Sequence, residues 1–231
     1  MRIQLLDENI EFPSVEQANE MGLLAVGGNL SPARLIAAYE HGTFPWFNPG
    51  EEILWWAPKT RAIIPLDGIK IHKSMRNILN RGIYKVTYDK CFDEVVKGCA
   101  TAKRGLANEG TWISSDINNA YCNLHVLGLA HSVEVWDDEN LVGGLYGVSI
   151  GSMFFGESMF SIAPNASKVA LINLAQTLKK WGFGPIDCQI MNDHLMTMGA
   201  IEISRDEFQK LLKFHLTSSP TKKGPWTDEI L

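Results

Sequence analysis

The chain has no segment that suggests passage into or across a membrane. No run of about 18 apolar residues, the length that a membrane-spanning helix requires, occurs among its 231 residues. Residues Met1–Leu5 lead directly into acidic residues, without the apolar stretch and small-residue cleavage site of a signal peptide. We therefore expect a cytoplasmic protein with no membrane partner.

Cysteine is scarce, and its spacing argues against the common cysteine-dependent sites. The chain has four cysteines, none of them in a C-x-x-C pair and none with a histidine at ligand spacing: Cys91, Cys99, Cys122 and Cys188. Reduced thiols, no structural zinc and no other metal site are therefore expected. With 45% hydrophobic and 20% charged residues, the composition is that of a folded globular protein.

The net charge of −5 hides a basic stretch between residues 59 and 85. This stretch contains seven basic residues and a single acid, Asp67, so it carries a net charge of +6 and the rest of the chain carries −11. The seven are Lys59, Arg61, Lys70, Lys73, Arg76, Arg81 and Lys85.

Three of these cations lie in a segment that predicts a helix. In His72–Arg81 the apolar Met75, Ile78 and Leu79 share one side, which leaves Lys73, Arg76 and Arg81 pointing outward. Gly82 is expected to end this helix. A solvated helix face is the more common explanation of such a pattern, and contact with phosphate groups is the sharper alternative.

The length allows one medium domain, or a larger domain with a small appendage. We expect a small N-terminal domain over residues 1–62 and a larger α/β domain over residues 63–231. In the first, Ser31 and Pro32 are the N-cap and first turn of a helix that Gly42 ends. The aromatic segments 44–50 and 54–58 follow; most of their rings are expected to pack in a core, and one or two could stack a base.

The larger unit alternates between strand and helix patterns. Two strands joined by a turn predict a hairpin, and a third strand, a helix ending at Gly182 and a fourth strand follow. A short helix, one more strand and a last helix, begun by the capping box from Ser204 to Glu207, complete the unit. The predicted strands are His131–Trp136, Leu141–Ser149, Ser152–Ser161, Ile186–Ile190 and Ile201–Ile203, and the predicted short helix is Asn192–Met198. The fold class is thus α/β (α+β) with a mixed sheet, and the segment from Ser218 is expected to be a loosely attached tail.

Two stretches of this unit carry the strongest functional signal. In Phe154–Ser161 the carboxylate of Glu157 stands among large apolar residues, and Asp187-Cys188-Gln189 follows one helix later. If Glu157 is buried, it needs a cationic or hydrogen-bonding partner; a solvated glutamate is the alternative. An apolar pocket with one acid would suit a ligand that has an apolar side chain and a positive charge.

The order of elements resembles the acetyltransferase-like fold often called GNAT. Coenzyme A users of that fold carry a glycine-containing turn whose backbone donors bind the pyrophosphate. The corresponding turn here, Ile162–Ser167, has no glycine and contains Pro164, which lacks a donor. This argues against coenzyme A, and no cofactor is expected.

Several long motifs resemble those of leucyl/phenylalanyl-tRNA protein transferases, in the family's order and through nearly the whole chain. They are Gly22–Ala25, Gly27–Pro32, Phe44–Phe47, Leu54–Trp56, Glu109–Ile113, Gly156–Ser161 and Asp187–Gln189. The resemblance implies a small N-terminal domain joined to a GNAT-like C-terminal domain. It also implies transfer of Leu or Phe, and weakly Met, from aminoacyl-tRNA to the α-amino group of proteins beginning with Arg or Lys, which marks them for degradation under the N-end rule.

The same resemblance implies roles for particular residues. Asp187 and Gln189 fall at the reaction centre, and alternation along a strand would place both side chains on one face. Gln189, oriented by Asp187, would accept a hydrogen bond from the attacking amine, while Glu157 would pair with the cationic acceptor and Asn192 would help to position the reacting groups. A purely structural Asp187 is the alternative.

The implied contacts with the donor involve nine further residues. Leu145, Phe154, Met159 and Ile186 would form the pocket for the transferred side chain, although by residue type alone they would be ordinary core. Trp46 and Trp112 would contact the terminal adenosine, and Lys73, Arg76 and Arg81 would hold acceptor-stem phosphates. We expect a monomer whose partners are Leu-tRNA, Phe-tRNA and the acceptor protein. A noncatalytic tRNA-binding module and a coenzyme A-dependent acyltransferase are the two alternatives.

Overall fold

The computed structural model describes residues 3–102 and 111–229, which form two sheets and seven α-helices. The strands of the four-stranded sheet are β1 (Gln4–Leu6), β2 (Leu23–Gly27), β3 (Phe44–Pro45) and β4 (Leu54–Trp56), in the order β1-β2-β4-β3. The strands of the seven-stranded sheet are β5 (Thr60–Ile64), β6 (Lys85–Tyr88), β7 (Ala130–Asp137), β8 (Asn140–Ile150), β9 (Met153–Ser161), β10 (Ile186–Gln189) and β11 (Ile201–Ser204). The helices are α1 (Pro32–His41), α2 (Lys73–Asn80), α3 (Phe92–Thr101), α4 (Ser115–Val126), α5 (Ala166–Lys180), α6 (Asp193–Met198) and α7 (Arg205–Ser218).

The seven-stranded sheet has the order β11-β5-β10-β9-β8-β7-β6. Its pairs are antiparallel except for β9 and β10, which run parallel. The sheet is therefore mixed, and the predicted α/β class with a mixed sheet is confirmed. The predicted hairpin is β7 and β8, and every other strand predicted in this unit is present within a few residues.

Helices cover both faces of the large sheet. One hydrophobic core contains residues of α1, α3, α4 and α7, and the other contains residues of α2, α5 and α6. Successive residues of a strand point to opposite faces, so Leu145 packs in the second core and its neighbour Tyr146 in the first. The first core also includes Leu24 and Trp55 of the small sheet.

Local capping accounts for the helices that the sequence predicts well. Ser31 caps α1 by accepting a hydrogen bond from the backbone of Arg34, and Gly42 ends it in a left-handed conformation at φ 82°. Ser204 and Glu207 form the predicted capping box of α7. The sequence did not predict α3, α4, β1, β2, β5 or β6, and the aromatic segments that contain β3 and β4 were expected to be irregular.

The expected boundary between residues 62 and 63 falls inside β5. All of β5 belongs to the seven-stranded sheet, where it pairs with β10 and β11. The small sheet ends earlier, at Trp56. The division into two domains stays a prediction.

The expectation of a loosely attached C-terminal tail is wrong. Trp226 is only 1% exposed, its ring stacks on His131 at 3.8 Å between centroids, and its backbone N–H donates to Asp89 at 2.8 Å. Thr221 accepts a hydrogen bond from the backbone of Gly151. A segment rich in polar residues and proline is thus held by one buried aromatic side chain and by backbone hydrogen bonds.

Candidate active site

Two cavities open side by side at the carboxyl end of β10. The larger has a volume of about 800 Å³ and the smaller about 270 Å³. Both are lined by the same four residues, namely Glu157, Cys188, Gln189 and Asn192. Three of these four are predicted site residues, so the structure brings them together at the junction of the two cavities.

The larger cavity has apolar walls. All four residues predicted for the side-chain pocket line it: Leu145, Phe154, Met159 and Ile186. They form two cross-strand pairs, because Leu145 lies opposite Met159 on β8 and β9, and Ile186 lies opposite Phe154 on β10 and β9. Leu171 and Leu174 of α5 complete the wall and were not predicted.

The smaller cavity has aromatic walls. Trp46 and Trp112 line it together with Phe44 and Pro45, as expected for a surface that stacks a base. Trp46 is 45% exposed, and its carbonyl oxygen accepts a hydrogen bond from the indole of Trp56 at 2.7 Å. Residues 109 and 110 of the motif Glu109–Ile113 lie outside the described residues, so only its part from Thr111 is placed.

Glu157 has hydrogen-bonding partners that the sequence did not reveal. The hydroxyl groups of Tyr39 on α1 and Tyr121 on α4 donate to its two carboxylate oxygens, at 2.7 and 2.8 Å. Burial raises the pKa of Glu157 to about 7, although the two tyrosine hydrogen bonds oppose that increase; the nearby Asp187 carboxylate adds to it and Arg61 opposes it. Burial likewise raises the pKa of both tyrosines, so both remain neutral donors.

Asp187 lies in the interior and lines neither cavity. Its side chain is fully buried in an ion pair with Arg61, whose Nε and Nη2 atoms donate to its two carboxylate oxygens at 2.8 and 2.7 Å. Arg61 was counted in the basic stretch between residues 59 and 85, but it is 2% exposed and its guanidinium binds Asp187, so it does not belong to a basic surface.

The predicted strand alternation between Asp187 and Gln189 does not occur. The pairing of β10 with β5 shifts register between these two residues, and Gln189 has a left-handed backbone at φ 59°. The contact between them runs from the backbone N–H of Gln189 to Oδ1 of Asp187 at 3.0 Å. Gln189 lines both cavities, and its buried Nε2 atom has no hydrogen-bond partner among the described residues.

Two neighbours of Gln189 complete the junction. Asn192 is the N-cap of α6, and its Oδ1 accepts from the backbone of Leu195 at 2.9 Å, so Nδ2 is the atom better suited to contact a substrate. Cys188 also lines both cavities, but burial strongly raises the pKa of its thiol. A neutral thiol is a poor nucleophile, so Cys188 is not suited to covalent catalysis.

Lys73, Arg76 and Arg81 lie on or next to α2 and line neither cavity. All three are exposed, whereas Met75 on the same helix is buried, which confirms the predicted outward orientation. The structure therefore places them on the surface, apart from the residues that line the cavities.

Several residues at the site were missed by sequence reasoning. Tyr39 was expected only as a residue of the first helix, Tyr121 was not singled out, and Arg61 was only counted among the basic residues between 59 and 85. His194 on α6 also lines the larger cavity, and its buried Nε2 has no hydrogen-bond partner among the described residues. No local signal distinguishes Tyr39, Tyr121 or Arg61, because each depends on a partner that is distant in sequence.

Residues 3–102 and 111–229 contain no group of three or more His, Cys, Asp or Glu side chains that could hold a metal ion. Among the same residues, no helix combines the length and the apolar character needed to cross a membrane.

Two solved structures show a distant likeness to this chain. The protein described as L-PGS from Bacillus licheniformis matches with a TM-score of 0.39 and 15% identity, over 74% of this chain and 54% of that chain. A GCN5-related N-acetyltransferase from Kribbella flavida matches with a TM-score of 0.38 and 9% identity, over 74% of this chain and 60% of that chain. Likenesses at these TM-scores do not establish a shared fold.

Comparison with protein families is decisive. The model of the family described as "Leucyl/phenylalanyl-tRNA protein transferase" matches residues 63–213, and that of its N-terminal domain matches residues 28–59. Two proteins named leucyl/phenylalanyl-tRNA–protein transferase are similar to this chain. The one from Cellvibrio japonicus is 55% identical over 92% of this chain and 90% of its own length. The one from Flavobacterium johnsoniae is 54% identical over 90% of this chain and 98% of its own length. The protein of that name from Yersinia enterocolitica is 50% identical over 100% of this chain and 97% of its own length. The chain therefore belongs to the leucyl/phenylalanyl-tRNA protein transferase family.

Proposed function

We propose that this protein transfers Leu or Phe, and weakly Met, from aminoacyl-tRNA to the α-amino group of proteins that begin with Arg or Lys. A single observation carries this proposal. An apolar cavity and an aromatic cavity meet at Glu157, Gln189 and Asn192. The 3′ end of an aminoacyl-tRNA has the same order of parts, namely an apolar side chain, an ester bond and an adenine base.

The donor would lie across both cavities. Its Leu or Phe side chain would occupy the space lined by Leu145, Phe154, Met159 and Ile186, and its adenine would stack near Trp46 and Trp112. The ester carbonyl would then lie at the junction, beside Gln189. The cations Lys73, Arg76 and Arg81 would contact phosphates of the acceptor stem.

The chemical step exchanges an ester for an amide. The acceptor's α-amine attacks the ester carbonyl carbon, a C–N bond forms, the C–O bond to the ribose breaks, and one amine proton ends on the ribose oxygen. An α-amino group has a reference pKa of about 7.7–8.0, so part of it is already free base at neutral pH. Orientation of the two reactants can supply roughly 7–11 kcal/mol of the barrier reduction.

Gln189 and Glu157 are placed to orient the two reactants. A carboxamide is too weak a base to hold a proton, but Oε1 of Gln189 can accept a hydrogen bond from the amine and Nε2 can donate one to the carbonyl oxygen. Glu157, when ionised, would attract the cationic N-terminal residue of the acceptor. Asn192 would donate from its Nδ2 atom to hold the reacting groups.

A transfer assay with matched acceptors tests this function. Purified protein is mixed with tRNA that carries labelled leucine and with a model protein beginning with Arg, Lys or Ala. We expect label on the first two proteins and none on the third, and a repeat with Phe-tRNA and Met-tRNA should give strong and weak transfer. Bound tRNA with no label on any acceptor would instead indicate a noncatalytic tRNA-binding module.

A parallel reaction with labelled acetyl-coenzyme A and the same acceptors tests the other alternative, a coenzyme A-dependent acyltransferase. Acetylation of the acceptor in the absence of tRNA would show a coenzyme A-dependent acyltransferase. We also propose a cytoplasmic, monomeric protein, which sedimentation of the purified chain and fractionation of its host cells would test.

A further inference from the structure

Besides its ion pair with Asp187, the side chain of Arg61 contacts residues of β3 and α7 and the residue that ends α1. Arg61 lies on β5 and Asp187 on β10, and their side chains are 2% and 0% exposed. The guanidinium carbon of Arg61 lies 4.7 Å from the ring centroid of Phe44 and 4.4 Å from that of Phe208. Its Nη1 atom donates to the backbone oxygen of Gly42 at 3.1 Å.

Two contacts of the ion pair, one from Arg61 to Phe44 and one from Gln189 to Asp187, involve residues that line the smaller cavity. Phe44 lines that cavity and precedes Trp46, which also lines it. On the other side, Asp187 holds the backbone N–H of Gln189, and Gln189 lines the same cavity. One buried guanidinium therefore contacts two residues of the cavity wall, Phe44 directly and Gln189 through Asp187.

The hydrogen bond from Gln189 to Asp187 stabilises a conformation that is unfavourable for a residue with a side chain. At φ 59° the backbone of Gln189 is left-handed, a region that glycine adopts readily and glutamine rarely does. The register shift at this point interrupts the alternation of β10. The conformation of Gln189 therefore depends on an acceptor atom that Arg61 holds in place.

Stability alone is a weak reason to bury this ion pair. An apolar pair of similar volume is often as stable as a buried ion pair, because the charges lose their hydration. An apolar pair cannot, however, accept the hydrogen bond from Gln189. That additional contact is what the ion pair provides and a packed hydrophobic pair would not.

We propose that Arg61 is a positioning residue for the transfer reaction: by holding Asp187 and Phe44, it fixes Gln189 and the adenosine-binding wall relative to each other. This rests on the proposed function. Asp187 acts in the same way, through the backbone of Gln189, because both of its carboxylate oxygens are occupied by Arg61 and Oδ1 also accepts from Gln189. Neither residue of the pair touches the substrate.

The double variant Arg61→Met with Asp187→Leu separates positioning from stability. Each single substitution leaves one buried charge without a partner and should lower the melting temperature, whereas the double variant should regain most of it. We expect the folded double variant to bind aminoacyl-tRNA within a few-fold of the original protein. Its kcat should fall about 100-fold, the order of loss that a misplacement of about 1 Å can cause.

A double variant that folds and keeps its kcat would overturn the proposal, since the pair would then serve stability only. Arg61→Lys provides a second test if the double variant does not fold. Lysine keeps the positive charge but cannot make the two-point contact with a carboxylate. We expect Arg61→Lys to retain the fold and tRNA binding but to lower kcat, and an unchanged kcat would contradict the proposal.

The strained backbone can be tested without any activity measurement. Gln189→Gly and Gln189→Ala both remove the carboxamide and differ by a single methyl group, whose main effect at this position is on the backbone preference of the residue. Because the position is left-handed, the glycine variant should have the higher melting temperature. An alanine variant of equal or higher melting temperature would contradict the conformation on which the role of Arg61 depends.

Failure of the proposed function and failure of the proposed role of Arg61 give different experimental results. If the original protein transfers no leucine or phenylalanine, the proposed function fails and the role of Arg61 fails with it. If the original protein is active and the folded double variant is equally active, only the role of Arg61 fails.

Discussion

The hydroxyl oxygens of Tyr39 and Tyr121 lie 2.5 Å apart, although the two residues are 82 positions apart in sequence. Each also lies within hydrogen-bonding distance of one carboxylate oxygen of Glu157. Three short contacts among three groups need three protons, and the two tyrosines supply two. When Glu157 is ionised, both tyrosines can donate to its carboxylate; when it is protonated, it supplies the third proton and donates to one tyrosine, and burial raises its pKa to about 7.

Tyr39→Phe should move the pH dependence of acceptor binding to higher pH. As the pH rises through about 7, Glu157 ionises and should attract the cationic acceptor, so the KM for the acceptor should fall. Tyr39 lowers that pKa by donating to the carboxylate, and its removal should raise the midpoint. The measurement is KM against pH, with Glu157→Gln as the control that separates this titration from that of the acceptor's own amine. A midpoint that moves to lower pH would contradict the assignment.

Met159→Ala should change the preference between the two donors. The substitution enlarges the apolar cavity, so kcat/KM should fall less for transfer of phenylalanine, which has the larger side chain, than for transfer of leucine. Because one methylene is worth about 1–3 kcal/mol in such a pocket, the Phe-to-Leu ratio should rise roughly tenfold or more. The ratio is measured with Leu-tRNA and Phe-tRNA in competition. Met196→Ala is the matched control, since Met196 is 54% exposed and does not line the cavity; an equal change there would exclude a pocket effect.

Arg76→Ala should weaken tRNA binding and reduce its dependence on salt. Arg76 is exposed on α2, where a guanidinium could contact a phosphate and release a counterion. Loss of one such contact should lower the slope of log K against log salt concentration by about one. Lys213→Ala removes an exposed cation from α7 and serves as the control. If the slope stays the same for Arg76→Ala, the tRNA binds elsewhere.

Trp226→Ala should destabilise the whole protein, because this side chain fixes the C-terminal tail. Its ring is 1% exposed and packs against His131 and Phe154. Replacing a buried tryptophan with alanine typically lowers the free energy of unfolding by about 3–5 kcal/mol. Denaturant unfolding measures this loss. Phe214→Ala, at a side chain that is 63% exposed, should change the free energy of unfolding far less; equal losses would show that burial of Trp226 is not responsible.

Much of the fold follows from signals that act over a few residues. The proline and N-cap that begin α1, the glycine that ends it and the capping box of α7 each satisfy backbone groups within one turn. Apolar patterning predicts β8 and β9, whereas the pocket role of Leu145 and Met159 came from the family resemblance, because by residue type alone both would be ordinary core. Helices α3 and α4 were missed because their burial depends on packing against the sheet and against each other.

Some residues of the candidate site were likewise predicted from the sequence, and others were shown only by the structure. Sequence motifs located Glu157, Gln189 and the two tryptophans, Asn192 was inferred beside them, and all five residues line the two adjoining cavities. Sequence alone could not show that Asp187 faces inward, because the β-bulge after it changes which residues share a face. It also could not distinguish Arg61 from the exposed cations that follow it.

The amino-acid sequence by itself determined the mixed α/β class, the strands and helices from β7 to α7, and the family, since these depend on local pattern and on motifs; the resemblance to that family also indicated the residues that line the apolar cavity. Only the tertiary structure decided the partners of the buried polar groups. Arg61 meets Asp187 across 126 positions, Tyr39 meets Glu157 across 118, and Trp226 meets Asp89 across 137. A buried charge or hydroxyl needs a partner, but its sequence neighbours do not specify which one, because that depends on which strands and helices the folded chain brings together.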